Sequence, residues 1–199
     1  VFKEQQMVGD ATQADENAPA RVEEYDLHRL CVKGGKHATR HWMPIMFHLA
    51  RLHRCTKIVE VGMFNGETTA FLVWAAILNG GRVLSIDNDV KAIERTEEHL
   101  KRVGLYETGR IFLIHGDSKT WVPQSPIDLL FIDGDHSAAG LKGDWENWTP
   151  KVEKGGLVFV HDINDPIVAE TLFGLVHDYS WEQVNFPGDV GMAVLRRIP

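Results

Sequence analysis

The sequence predicts an α/β fold in which a mostly parallel sheet is covered by helices on both faces, and three observations carry the prediction. Lys57 to Thr69, KIVEVGMFNGETT, reads as an apolar strand running into a glycine turn and then a helix. Four further apolar runs, Arg82 to Ile86, Arg110 to Ile114, Ile127 to Ile132 and Gly156 to Val160, follow at intervals that leave room for crossover helices. Trp181 to Phe186 and Gly191 to Arg197 are joined only through Pro187-Gly188-Asp189, a link short enough for an antiparallel hairpin.

Each element has its own justification. Ile58, Val59 and Val61 form the β-branched run expected of a strand buried on both faces. Gly62 lets the chain turn without a Cβ, and Gly66 lets the next helix lie close to the strand and to a ligand. Glu67, Thr68 and Thr69 suit a first helical turn before the apolar run Ala70 to Leu78. Asp89 is the natural cap of an amphipathic helix over Val90 to Val103, which leaves Asp87 free for a ligand. Ser137 to Val152 reads as a helix whose Leu141, Trp145, Trp148 and Val152 have core spacing, and Pro166 to Tyr179 as the last long helix.

Before the first strand the pattern is weaker. Val1 to Ala20 carries little apolar periodicity and reads as a mobile arm, with one domain expected over 21–199. Arg21 to Val32 has roughly helical spacing until Gly34 and Gly35 break it. His37 to Arg54 reads as a second helix, with Pro44 in its first turns and Trp42, Ile45, Met46, Leu49 and Leu52 on one face. His37, His41, His48 and His53 on this stretch lack a nearby Cys or carboxylate that would suggest zinc.

Composition narrows the function. With 44% apolar and 25% charged residues the 199-residue chain has the make-up of an ordinary globule. A net charge of -7 argues against broad electrostatic binding of nucleic acid and favours a small-molecule substrate. Cys31 and Cys55 have no C-x-x-C spacing and read as reduced and packed, which makes the cytoplasm the expected location. No apolar run approaches the roughly 20 residues that span a bilayer.

The glycine spacing separates two kinds of cofactor. A dinucleotide fingerprint needs glycine at its first, third and sixth positions, where this turn has Gly62, Phe64 and Glu67. A ring and a carboxylate therefore stand where a diphosphate needs bare backbone, which disfavours NAD. A cofactor with a positive centre and no phosphate fits better, with Glu60 at the strand end offering negative charge. S-adenosylmethionine is such a ligand. Asp87 ends the second strand about 25 residues after the turn, where a sheet of this type presents an acid to ribose hydroxyls. It is the candidate ribose ligand, with Asn88 beside it.

E-V-G-M-F-N-G resembles motif I, E/D-x-G-x-x-x-G, of the class I S-adenosylmethionine-dependent methyltransferases. The resemblance runs through roughly Arg40 to Arg197 and implies a Rossmann-like seven-stranded sheet of order 3-2-1-4-5-7-6 with the last strand antiparallel. It implies cofactor contacts from Glu60, Gly62, Phe64, Asn65, Gly66 and Thr68 in the turn, and from Asp133. Gly116-Asp117-Ser118 resembles the motif in which an acid after the third strand contacts the adenine amino group, which gives Asp117 that role with Ser118 beside it. D-G-D-H at 133–136 and G-G-L-V-F-V-H-D at 155–162 resemble a small bacterial family that includes sugar and antibiotic O-methyltransferases. Metal-dependent relatives place ligands where this chain has Asp133, His161 and Asp162, so the resemblance offers two readings: a divalent metal, magnesium or manganese, held there, or His161 and Asp162 only shaping the pocket floor. The histidine departs from the usual acid and suits softer ions than magnesium.

Two strand ends crowded with carboxylates and imidazoles should face one site. Asp135 is the first candidate for the base that deprotonates a hydroxyl acceptor, with His136 second. The expected activity is methyl transfer to a hydroxyl oxygen of a small molecule. The alternatives are a protein that binds S-adenosylmethionine without catalysis, or an NAD-dependent oxidoreductase. A homodimer is expected from size, since a small domain can complete its pocket with a neighbour's arm.

Overall fold

The computed structural model describes residues 42–121, 125–176 and 180–199. The arm, the helix proposed for 21–32, Cys31, His37 and His41 lie outside them. The described chain runs α1 (Met43–Leu52), β1 (Lys57–Val61), α2 (Glu67–Asn79), β2 (Arg82–Asp87), α3 (Val90–Arg102), β3 (Ile111–His115), β4 (Ile127–Ile132), α4 (Ala138–Trp148), β5 (Val152–His161), α5 (Pro166–Leu175), β6 (Trp181–Phe186) and β7 (Met192–Arg197). The strands form one seven-stranded sheet of order β3-β2-β1-β4-β5-β7-β6. Strands β1 to β5 pair in parallel, and β7 runs antiparallel to both β5 and β6. The expected order and the antiparallel last strand are both present.

Strand alternation divides the core in two. Ile58, Leu129, Phe131, Leu157 and Phe159 point to the face covered by α1, α2 and Leu100 of α3. Val59, Val61, Leu130, Ile132, Val158 and Val160 point to the other face, against Trp145 and Trp148 of α4 and Val168 and Leu172 of α5. Both tryptophans are core residues, as their spacing predicts. Helix α2 is buried continuously from Thr68 to Ala76, since it lies beneath α1 as well as on the sheet. The exposed helix α3 buries only the stripe Ala92, Thr96 and Leu100.

Some boundaries differ from expectation for local reasons. The helix that begins at Ser137 ends at Trp148, where Pro150 tightens the chain into a 3-10 turn over Thr149–Lys151. Strand β5 starts at Val152 and not at Gly156, and its register against β4 shifts between Ile127 and Leu129. Gly155, at φ +81°, takes up this irregularity. Strand β3 is displaced one residue toward the C-terminus, and α5 is described only to Leu175.

Register positions the site. Val61 lies level with Ile86 on one side and Ile132 on the other, while Ile132 lies level with Val160. The residues that follow these positions, Gly62, Asp87, Asp133 and His161, therefore emerge side by side at the carboxyl edge of the sheet.

Candidate active site

A cavity of about 540 Å³ opens at that carboxyl edge, within the size range of small-molecule sites. Its walls come from the turn after β1, the ends of β2 and β3, the D-G-D-H turn after β4, the end of β5 and one face of α4. Most of the sequence candidates line it: Glu60, Gly62, Phe64, Asn65, Thr68, Asp87, Asn88, Ser118, Asp133, Asp135, His136, His161 and Asp162.

At the β1 end, close backbone approach decides the residue type. A Cβ on Gly62 would lie 2.2 Å from the carbonyl oxygen of Asp133, and φ there is +84°. Only glycine lets the β1 and β4 ends pass each other at this point. Gly66 is left-handed too, at φ +75°, but it is not in the cavity wall: a Cβ there would press 2.8 Å from Thr96 of α3. Its bare backbone serves the packing of α2 against α3. Phe64, at φ +45°, exposes its ring at the rim with the Arg95 guanidinium 5.7 Å from the ring centre.

Two acids in this half behave differently from their sequence reading. Glu60 is fully buried, and its Oε2 accepts the hydroxyls of Thr69 at 2.6 Å and Ser85 at 2.5 Å. Burial pushes its carboxyl up to about 8 against those two bonds. Burial thus works against the negative charge that the sequence reading assigned to it. Asp87 is not left free by the Asp89 cap. Its Oδ2 accepts the Met63 N–H and its Oδ1 the Asp89 N–H, each at 2.9 Å, which ties the glycine turn to the end of β2. Each oxygen keeps a lone pair for a further donor.

Asp117 stands outside the cavity wall. Its carboxylate accepts the Lys119 N–H at 3.0 Å and closes its own turn. Its neighbour Ser118 is in the wall, held by α4: its carbonyl accepts from Asn147 Nδ2 at 2.7 Å and Trp148 Nε1 at 3.0 Å. Ser118 also donates its hydroxyl to Asp144. Asp144 is a buried wall residue that the sequence reading passed over. The available signal was an acid at position 144 inside the apolar stripe 141, 145, 148 of a helix.

The other half is a compact group of charges. His161, on β5 and buried, places Nδ1 3.0 Å from Oδ1 of Asp133 and 3.0 Å from Oδ2 of Asp162. His136 approaches the same two oxygens from the open side, with Nε2 3.0 Å from Asp162 and 3.5 Å from Asp133. These bonds push His136 up to about 10. Burial opposes protonation of His161, but its bonds to the same carboxylates raise it to about 9. Burial also works upward on Asp162, yet the two imidazoles hold its carboxyl well below the usual range. Asp162 keeps this position at φ +59°, a left-handed conformation uncommon outside glycine.

Asp135 takes another direction. Its Oδ1 accepts the Ser137 N–H at 2.9 Å, and the carboxylate lies against Gly140 at the start of α4. That backbone bond holds its pKa low. It is thus tied to the start of α4 while it also stands in the cavity wall, as the first candidate for the base read from the sequence.

The donor set suits a divalent ion, but through a different third residue. Ligand atoms of Asp133, His136 and Asp162 lie within 4.8 Å of one another. His161 is not in that group; its Nδ1 holds the two carboxylates from the buried side. Two carboxylates and one imidazole suit manganese, iron or zinc at least as well as magnesium.

The comparisons agree with this architecture. The chain is similar to the O-methyltransferase of Bacillus cereus crystallised with S-adenosylhomocysteine, at 17% identity over 88% of this chain and 90% of that one, with TM-score 0.66. It is similar to TomG of Streptomyces achromogenes, an O-methyltransferase of tomaymycin synthesis crystallised with S-adenosylmethionine, at 16% identity over 94% and 92%, TM-score 0.67. The methyltransferase PaMTH1 of Podospora anserina, bound to S-adenosylhomocysteine, matches at 16% identity over 91% and 89%, TM-score 0.69. At these identities the match is one of fold. Among curated proteins, Uncharacterized protein y4gI of Sinorhizobium fredii is 36% identical over 81 residues, which span 37% of this chain and only 8% of that protein's length. The family model described as a methyltransferase domain matches residues 59–163, from inside β1 to just past the His161-Asp162 pair. That stretch is more than half of the chain and contains the whole D-G-D-H turn and both walls of the cavity, and the chain belongs to this methyltransferase family.

Proposed function

We propose that the protein transfers the methyl group of S-adenosylmethionine to a hydroxyl oxygen of a small molecule. The observation that carries this reading is that one cavity joins the Gly62 and Asp87 turn to the His136, Asp133 and Asp162 group. In this reading the cofactor lies along the β1 and β2 ends, with Asp87 on its ribose. Its sulfonium faces the β4 end. Asn65, Thr68 and Asn88 supply further polar contacts. The acceptor enters beside His136.

Transfer breaks the S–CH3 bond, forms the O–CH3 bond and releases the hydroxyl proton. The sulfonium is already a good leaving group, so the protein's work is positioning and proton removal. The His136 side chain is about half exposed, and in its neutral form the imidazole takes that proton at the ring nitrogen that does not face the carboxylates. Asp162 then holds the imidazolium. Because His136 is raised to about 10, turnover climbs with pH across the neutral and mildly alkaline range. His161 keeps both carboxylates oriented from behind.

Asp133, His136 and Asp162 would hold a divalent ion, His136 then serving as a ligand. The chemistry such an ion supplies is polarisation of the acceptor oxygen, which lowers the pKa of its hydroxyl.

No helix among the described residues is long and apolar enough to cross a membrane. The net charge of -7 supports a partner other than nucleic acid. A homodimer is the assembly to test by light scattering.

The test is calorimetric titration with S-adenosylhomocysteine, with and without manganese, followed by an acceptor screen. Saturable binding and turnover support the reading. Binding without turnover of any hydroxylated acceptor leaves a cofactor-binding protein. No binding by folded protein removes the cofactor assignment.

A further inference from the structure

We infer that Asp144, with Ser118, is the residue pair that reads the adenine 6-amino group of the cofactor. The inference rests on the cofactor reading above and relocates a contact that the sequence had placed on Asp117.

Asp144 stands at a position built for an apolar side chain. It belongs to the buried stripe of α4 with Leu141, Trp145 and Trp148, and it is 1% exposed. A carboxyl in such a place costs stability unless polar partners meet it. One oxygen, Oδ1, receives the Ser118 hydroxyl. The other, Oδ2, is turned toward the D-G-D-H turn, 3.4 Å from where a Cβ on Gly134 would stand. Gly134 has no side chain to stand between this oxygen and the cavity, and Asp144 and Gly134 are both in its wall. Burial raises the Asp144 pKa while the Ser118 bond opposes it.

The pair is held in place. Asn147 and Trp148 grip the Ser118 carbonyl one helical turn beyond Asp144, so the β3 loop cannot shift relative to α4. With ribose at Asp87, the base extends toward the β3 end, between Asn88 and the Gly116 to Ser118 turn. The acid expected there, Asp117, is not in the cavity wall, and its carboxylate accepts the Lys119 N–H. Asp144 is the acid that reaches the same region from the opposite side. An exocyclic amine donates to Oδ2. A 6-oxo purine would put two oxygens against each other.

The experiment is titration of the intact protein with S-adenosylhomocysteine and with S-inosylhomocysteine, its 6-oxo analogue, for the wild type, Asp144→Asn and Ser118→Ala. Wild type is expected to prefer the adenosyl compound by about 10- to 100-fold, the effect of leaving a buried acceptor unmatched. Asp144→Asn, which can offer N–H to an oxo group, is expected to bring the ratio close to one. Ser118→Ala leaves the core volume nearly intact and is expected to lower the ratio several-fold by releasing Oδ1, so the test survives an Asn variant that does not fold. A ratio unchanged in a folded variant overturns the assignment. If wild type binds neither compound, the cofactor reading itself fails and this one with it; if it binds both equally, only this one fails.

Discussion

The two halves of the cavity are built on different principles. The β1 and β2 half is made by the backbone: Gly62 crosses the Asp133 carbonyl, and Asp87 is tied to two main-chain N–H groups. The β4 and β5 half is made by side chains, with Asp133, His136, His161 and Asp162 gathered around two carboxylate oxygens. A site made by backbone tolerates little change of shape, whereas a site made by charges tolerates little change of protonation. The first half should therefore fail through folding and the second through chemistry.

The largest effect expected from this contrast is on turnover. His136→Ala should lower kcat by about 100- to 10,000-fold, the range for loss of a general base. Affinity for S-adenosylhomocysteine should stay close to wild type in calorimetry, because the backbone-built half is untouched. Equal loss of binding and turnover would erase the distinction between the halves.

Gly62→Ala is the matching change in the other half. It forces a Cβ to 2.2 Å from a backbone oxygen at a left-handed φ, and should cost about 3 kcal/mol or more of stability, the scale of strained core substitutions. A denaturant midpoint at the wild-type value would show that the β1 and β4 ends can separate without cost.

pH separates the halves further. The folded values of Glu60, His161 and His136, about 8, 9 and 10, all lie above their ordinary ones. A raised value means that the folded protein binds more protons than the unfolded chain in the interval between. The stability from Glu60 is thus whole below about pH 4.5 and is lost as pH rises through 8; that from the histidines is whole below about 6.5 and is lost through 9 to 10. Glu60→Gln should flatten the first slope in thermal melts and leave the second. Asp162→Asn should flatten the second and move the rise of the rate profile toward neutral pH.

The smallest effect is expected at Asp135. Because its carboxylate serves the start of α4, Asp135→Asn should leave turnover within about threefold and lower stability by about 1 kcal/mol or less, as for a lost helix-end contact. A collapse of turnover in steady-state kinetics would return Asp135 to the role of base.

The sequence alone determined the strands and helices, the glycine turn and the neighbourhood of the site, while the strand order came with the family resemblance. The elements and the site's neighbourhood follow from short-range facts: strand periodicity, the Gly62 turn, and an acid or histidine placed directly after the other four parallel-strand runs. The local pattern also identified Asp89 as a cap and Trp145 and Trp148 as core. What the chain order could not decide was which way each of those polar residues turns. Asp117 and Asp135 each satisfy a backbone N–H two residues on, an outcome set by turn dihedrals. Asp144 reaches the cavity only because α4 packs on the β3 loop, 26 residues away in sequence. His136 and His161 share two carboxylates because register sets the β4 and β5 ends level. Position along a strand is written in neighbouring residues, but the partner of a buried charge depends on which distant elements the fold brings within 3 Å of it.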